Sequence, residues 1–188
     1  MATSRSVTFY ISSSVILLAI LSLSSHALAQ TEQRTGRSVY SVGEVRYGTY
    51  YNGRFGYAIA VPLNRLEPIG PTDGNGQVFA GSEGELRVFG SATLAEGSLS
   101  EAYRALSQST PEREVTYKVE RDDWFVVSGF DGDTVFYTKV MVHPDNGAFL
   151  TFTLRYDRSL KPVFDPITEE VSYSFRALEG VGSSDAAF

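Results

Sequence analysis

Residues 115–156 read VTYKVERDDWFVVSGFDGDTVFYTKVMVHPDNGAFLTFTLRY, and the fold class turns on how this stretch divides. Three clusters of turn formers cut it: Asp122-Asp123, Asp131-Gly132-Asp133 and His143-Pro144-Asp145-Asn146-Gly147. Before the first cut, Val115, Tyr117 and Val119 alternate with Thr116, Lys118 and Glu120, the period of a strand with one face toward a core. Trp124 to Phe130 is almost unbroken apolar sequence, as expected of a strand covered on both faces. Thr134 to Val142 makes a third strand. The fourth sets Leu150, Phe152, Leu154 and Tyr156 on one side and Thr151, Thr153 and Arg155 on the other. Four strands joined by short turns predict an antiparallel meander.

Upstream, an aromatic run holding Tyr47, Tyr50 and Tyr51 is separated by Asn52-Gly53 from a second strand over Arg54 to Val61. Asn-Gly favours a two-residue hairpin because both corner positions require positive φ. In the second strand Phe55, Tyr57, Ile59 and Val61 share a face opposite Gly56, Ala58 and Ala60, whose small side chains invite close packing by a helix. Pro62 ends the pairing. Pro68 to Gly76 reads as an irregular loop. Gln77 to Ala80 and Glu85 to Ala92 follow as short strands around a turn at Gly81 to Gly84.

Two helices complete the pattern. Ser98 stands three residues before Glu101, the spacing of a capping box, and Leu99, Ala102, Tyr103 and Leu106 recur on one helical face before Pro111. The second helix is expected from Val163, Phe164, Ile167, Val171 and Ser174, with Asp165 as cap and Pro166 at the first helical position. Glu169 and Glu170 would then lie near its positive end. The order of elements predicts an α+β domain: a single antiparallel sheet with two main helices packed on it.

The termini read differently. Arg5, the apolar run Val15 to Leu23 and the small-x-small pattern Ala27-Leu28-Ala29 ahead of Gln30 are the marks of a signal peptide over residues 1–29, cut before Gln30. The apolar run is interrupted by Ser22, Ser24, Ser25 and His26, too soon to span a bilayer, so no membrane span is expected after signal removal. Residues 30–46 read as a flexible leader, 47–177 as the domain, and 178–188, small and polar from Gly180, as a disordered tail. A periplasmic or secreted protein is expected.

Export permits disulfides, but the chain has no cysteine, so its fold rests on an apolar core. Its formal net charge is −6, and loss of Arg5 with the signal would make it one unit more negative. That balance argues against nucleic acid, which needs neutralising Lys and Arg. The many Phe and Tyr fall mostly in alternating segments, where they would build the core. An aromatic platform for sugar or peptide is the functional alternative.

No constellation of catalytic residues stands out. His143 would be the sole histidine after signal removal, and it lies among turn formers. A hydrolase would have to assemble Ser128, His143 and turn carboxylates across separate strands. Ser128 lacks the flanking glycines of a nucleophile elbow, with Val126 and Phe130 two places to either side. Carboxylate pairs drawn from Asp122, Asp123, Asp131, Asp133, Glu169 and Glu170 fall at predicted turns or a helix start, where they would be solvated. Asp73-Gly74-Asn75-Gly76-Gln77 has the oxygen content of a weak calcium loop but fails the EF-hand register, with Val78 at the glycine position and Gly84 at the glutamate position. No phosphate-binding glycine motif follows a predicted strand, and no cofactor is expected.

Tyr51-Asn52-Gly53-Arg54-Phe55-Gly56-Tyr57, Asn75-Gly76-Gln77-Val78-Phe79, Val115-Thr116-Tyr117, Trp124-Phe125-Val126-Val127-Ser128-Gly129 and Ser174-Phe175 together resemble a group of uncharacterised exported bacterial proteins with a PsbP-like fold. The resemblance runs from Tyr47 to Phe175 and implies an antiparallel sheet with helices on its faces. PsbP-like proteins include a photosystem subunit, envelope proteins and binding adaptors. The matching segments are turns, strand cores and a helix end, so no site residue is carried over. A non-enzymatic exported domain binding an envelope protein or an extracellular ligand is the leading expectation, with the hydrolase and a purely structural envelope component as alternatives.

Overall fold

The computed structural model describes residues 38–70 and 74–180. The meander is there: β7 (Arg113–Glu120), β8 (Trp124–Asp131), β9 (Thr134–Val142) and β10 (Phe149–Asp157) pair antiparallel in sequence order. The Asp131↔Thr134 register leaves Gly132-Asp133 as a two-residue turn, with Gly132 at φ 60. The pairing departs from strict alternation at one point. Between Val115 and Tyr117 the β7 register slips by one residue, a β-bulge that the unbroken V-T-Y-K-V alternation conceals. Val115 opposes Gly129 whereas Tyr117 opposes Ser128, so the two side chains emerge on opposite faces and not on one.

The expectation of a single sheet is corrected. β1 (Val39–Val42), β2 (Val45–Asn52), β3 (Tyr57–Pro62) and β11 (Arg176–Ala177) form a four-stranded antiparallel sheet. A seven-stranded antiparallel sheet has the order β4-β5-β6-β10-β9-β8-β7, with β4 (Glu67–Ile69), β5 (Gly76–Ala80) and β6 (Gly84–Ser91) beside the meander. The division falls at Pro62, which has no N–H to extend the ladder and whose carbonyl accepts from Arg65 and Leu66 in the turn that redirects the chain. Alternation says which way a side chain points, but not which strand lies alongside.

Several local boundaries also move. Residues 39–46, expected in the leader, form a hairpin around Gly43 (φ 56), and Tyr40 stacks on Tyr47 at 5.4 Å. Asn52 does not take the corner of a two-residue turn. Its carboxamide oxygen accepts the Phe55 N–H at 2.9 Å and closes a four-residue loop, in which Gly56 has the positive φ of 66. Pro68, assigned to a loop, stands in β4, an edge strand where its missing donor is tolerated. At the other end, the Leu178 N–H donates to the Gly56 carbonyl at 2.7 Å, so the expected tail begins tied to the domain. The signal residues Ala27, Ala29 and Gln30, the leader up to residue 37, and the tail from 181 lie outside the described residues.

The helices cover opposite faces of the large sheet. α1 (Leu99–Leu106) starts as expected: the Ser98 hydroxyl oxygen accepts the Glu101 N–H. Its Ala102 packs with Phe125, Val127, Phe136 and Val140. α2 (Lys161–Ser174) follows a 3₁₀ turn at Arg158–Leu160 and starts five residues earlier than expected, because Pro162 suits the first turn. Pro166 therefore lies inside the helix, Asp165 is not its cap, and Glu169 and Glu170 are mid-helix. Phe164, Ile167 and Val171 join Tyr57, Ile59, Leu86, Leu150, Phe152 and Leu154 in the main core, to which both sheets contribute. Phe175 seals it, edge-on to Tyr57 and Phe152 at 6.0 and 5.1 Å. Among the described residues no helix is long and apolar enough to cross a membrane.

Candidate functional site

Two concavities on the large sheet lie beside its helices. The first, about 440 Å³, opens between α1, the Ser91–Glu96 segment and the sheet face that α1 covers. Its floor consists of cross-strand pairs from β9 and β10: Val140 with Thr151, Thr138 with Thr153, and Phe136 with Arg155. Leu94, Ala102 and Leu106 supply an apolar wall. The Thr138 and Thr153 hydroxyls bond each other at 3.0 Å, which satisfies the two polar groups mid-floor.

The cleft is charged at its Phe136 end. Phe136's neighbour on β8 is Gly129, which has no side chain, and the Arg113 guanidinium lies over the ring at 3.7 Å from its centroid. Arg113 owes this position to the bulge, which keeps Arg113 and Val115 on the α1 side while Tyr117 and Val119 pass to the α2 side. Arg155 Nη1 donates to Asp131 Oδ2 at 2.7 Å. Arg113 Nε is 3.9 Å from Asp131 Oδ1, too far for a hydrogen bond, and is buried without a partner. Both guanidinium groups line the cleft, whereas the carboxylate between them does not. Exposed Glu96 is the cleft's own acid.

The second concavity, about 520 Å³, lies between α2 and the other face of the sheet. Lys139 Nζ donates to the Ser172 carbonyl at 2.9 Å and lies 5.6 Å from the Trp124 ring; burial holds its ammonium below the usual lysine range. Tyr137 shares a hydrogen bond with Ser172 Oγ at 2.9 Å, and burial raises its hydroxyl above the usual range. Tyr156 stacks on Phe164 at 4.7 Å and donates to Asp165 Oδ1 at 2.9 Å.

The residues singled out from sequence do not converge. Ser128 lines the α2 cleft in mid-β8, opposite Tyr137, with its hydroxyl donated to the Phe136 carbonyl at 2.8 Å. His143 follows the far end of β9, roughly 20 Å along the strand from Tyr137 at the usual rise per residue. It is a turn residue, as expected, but a fully buried one. Its N–H donates to Ala148 O, its C=O accepts from Gly147, and its Nδ1 accepts the Asp145 N–H at 3.1 Å, which places the ring proton on Nε2. Asp122 and Asp123 are exposed at one end of β8, Asp131 and Asp133 stand at the other, and Asp131 is engaged by Arg155. Glu169 reaches the α2 cleft; Glu170 accepts from the Tyr40 hydroxyl.

Asp73 lies outside the described residues. In the rest of that loop the Gly74 carbonyl accepts from Asn52 Nδ2, and the Asn75 carbonyl from the Tyr57 hydroxyl and the Gly90 N–H. Among the described residues no three His, Asp or Glu side chains come together as a metal ion requires. Arg113 and Arg155, which shape the α1 cleft, are absent from the sequence-based candidates. Their signal was parity: Arg155 shares the Thr151 and Thr153 face, and Arg113 is two residues from Val115.

No protein-family model matches the sequence, and no curated protein matches it. Solved structures do. The cyanobacterial PsbP (CyanoP) of Synechocystis sp. PCC 6803 superposes with a TM-score of 0.52 at 18% identity, over 77% of this chain and 99% of that one. The Saccharomyces cerevisiae Ran-binding protein Mog1p gives 0.50 at 10% identity, over 72% and 97%. A mutant Mog1 gives 0.51 at 9% identity, over 71% and 97%. The fold is PsbP-like α+β; at these identities the likeness extends to fold alone.

Proposed function

We propose that this chain is a non-enzymatic binding domain, exported to the periplasm or beyond, and that it receives an envelope protein or an extracellular ligand in the α1 cleft. The observation that carries the reading is the cleft itself: an apolar concavity with convergent arginines at one end, the form ligand sites usually take. The hydrolase alternative loses support because Ser128 and His143 stand at different positions along the sheet, and His143 is enclosed. A neighbour of the same fold is described as a Ran-binding protein, which favours binding over catalysis without naming a partner.

In-cell crosslinking of the full-length protein tests the proposal, with Thr153→Trp as a variant that fills the cleft. The wild type should enrich a defined partner, and a folded Thr153→Trp should lose it. Recovery outside the cytoplasm with Gln30 at the N-terminus is expected for the export half of the reading. Turnover of ester, peptide or glycoside substrates that disappears in His143→Ala would overturn it.

A further inference from the structure

We infer that the α1 cleft takes a small apolar carboxylic acid, with its carboxylate against Arg113 and Arg155 and its hydrocarbon part along Leu94 and Leu106. The inference rests on the reading of this cleft as the binding site. The Arg113 guanidinium carbon lies over the Phe136 ring, 3.7 Å from its centroid, and a planar guanidinium suits the two oxygens of a carboxylate. Its Nε–H is buried and has no acceptor, because Asp131 is bonded to Arg155 and stands 3.9 Å away. A buried donor without a partner is costly, and a carboxylate that draws the Arg113 side chain toward the cleft would remove that cost.

Charge narrows the ligand further. Two guanidinium groups share one carboxylate, which leaves a single positive charge in excess at the Phe136 end. A monoanion balances it, whereas a dianionic phosphate would overfill it. Beyond the arginines the wall is Leu94, Ala102 and Leu106, and the mid-floor threonines are already bonded to each other. That half of the cleft asks for hydrocarbon. A volume of about 440 Å³ has room for one small molecule.

The test titrates the full-length protein with octanoate, octanol and octyl phosphate while following the amide resonances of Val140 and Thr151. Octanoate should shift them saturably and bind at least about tenfold more tightly than octanol, the scale of one charge-assisted hydrogen bond. Arg113→Gln should abolish the preference for octanoate over octanol. Should that variant lose its dispersed spectrum, Arg155→Gln and the wild-type acid-to-alcohol ratio give the same reading. Equal binding of acid and alcohol, or tighter binding of octyl phosphate, overturns the carboxylate assignment while the cleft stands as a binding site. No response to any of the three also overturns it, and loss of partner capture in Thr153→Trp then judges the cleft separately.

Discussion

Replacing Gly129 with alanine tests the bulge on which the cleft depends. A β-carbon there would stand 1.9 Å from the Glu114 carbonyl oxygen and 2.9 Å from both the Glu114 carbonyl carbon and Val115 Cα. Comfortable separations for such atoms are about 3.5 Å. Every obstructing atom is backbone, held by the β7–β8 register on either side of the bulge, so no rotamer change relieves the clash. Overpacking costs about 1–3 kcal/mol, and a collision with backbone belongs at the upper end, about 3 kcal/mol. For a chain of this size that lowers the melting temperature by about 6–12 °C. Gly53 is the control: it does not have a positive φ, and nothing lies within 4 Å of its would-be β-carbon, so Gly53→Ala should stay within about 0.5 kcal/mol of wild type. Urea denaturation followed by the fluorescence of Trp124, the single tryptophan, reads both variants. Equal midpoints for Gly129→Ala and Gly53→Ala would refute the reasoning.

Two further outcomes are expected. Burial pushes the Tyr47 and Tyr156 hydroxyls up to about 12, with Glu170 adding to the first and Asp165 to the second against an opposing Thr168 bond. Their folded values exceed the unfolded value of about 10, so the stability they contribute is whole below pH 10 and is lost as pH rises through about 12. Denaturation midpoints across that range should fall, together with delayed phenolate absorbance; phenolate appearing at ordinary tyrosine pH in the folded chain would contradict the assignment. His143→Ala removes a fully buried ring and the acceptor for the Asp145 N–H, at a cost of about 2–3 kcal/mol, with faster hydrogen exchange at Gly147 and Ala148. An unchanged urea midpoint would show that the imidazole does not hold the turn.

The meander was legible because its signals are local: alternation over Phe149 to Tyr156 and the Gly132 turn each act within a few residues. The first helix was legible for the same reason, through Ser98 and Glu101. The bulge was hidden because Val115, Thr116 and Tyr117 alternate without a break, and the slip is imposed by how β7 pairs with β8 across Gly129. Pro166 misled because its local preference for a first turn gave way to the burial of Phe164 and Ile167 on one helical face. The cleft was invisible for a further reason. Arg113 lies among charged residues in Glu112-Arg113-Glu114, and only the approach of Phe136 from β9 turns it from a surface charge into a fixed donor.

β11 has a bearing on how the chain reaches its native state. Arg176 and Ala177 pair with Ala58 and Tyr57, so one flank of an early hairpin waits for almost the last residues of the domain. Contacts so remote along the chain favour slow folding, and until they close, the β3 edge is open to misplaced partners. Loss of the C-terminal segment after α2 would therefore leave a protein with most of its core but a sheet margin prone to aggregation.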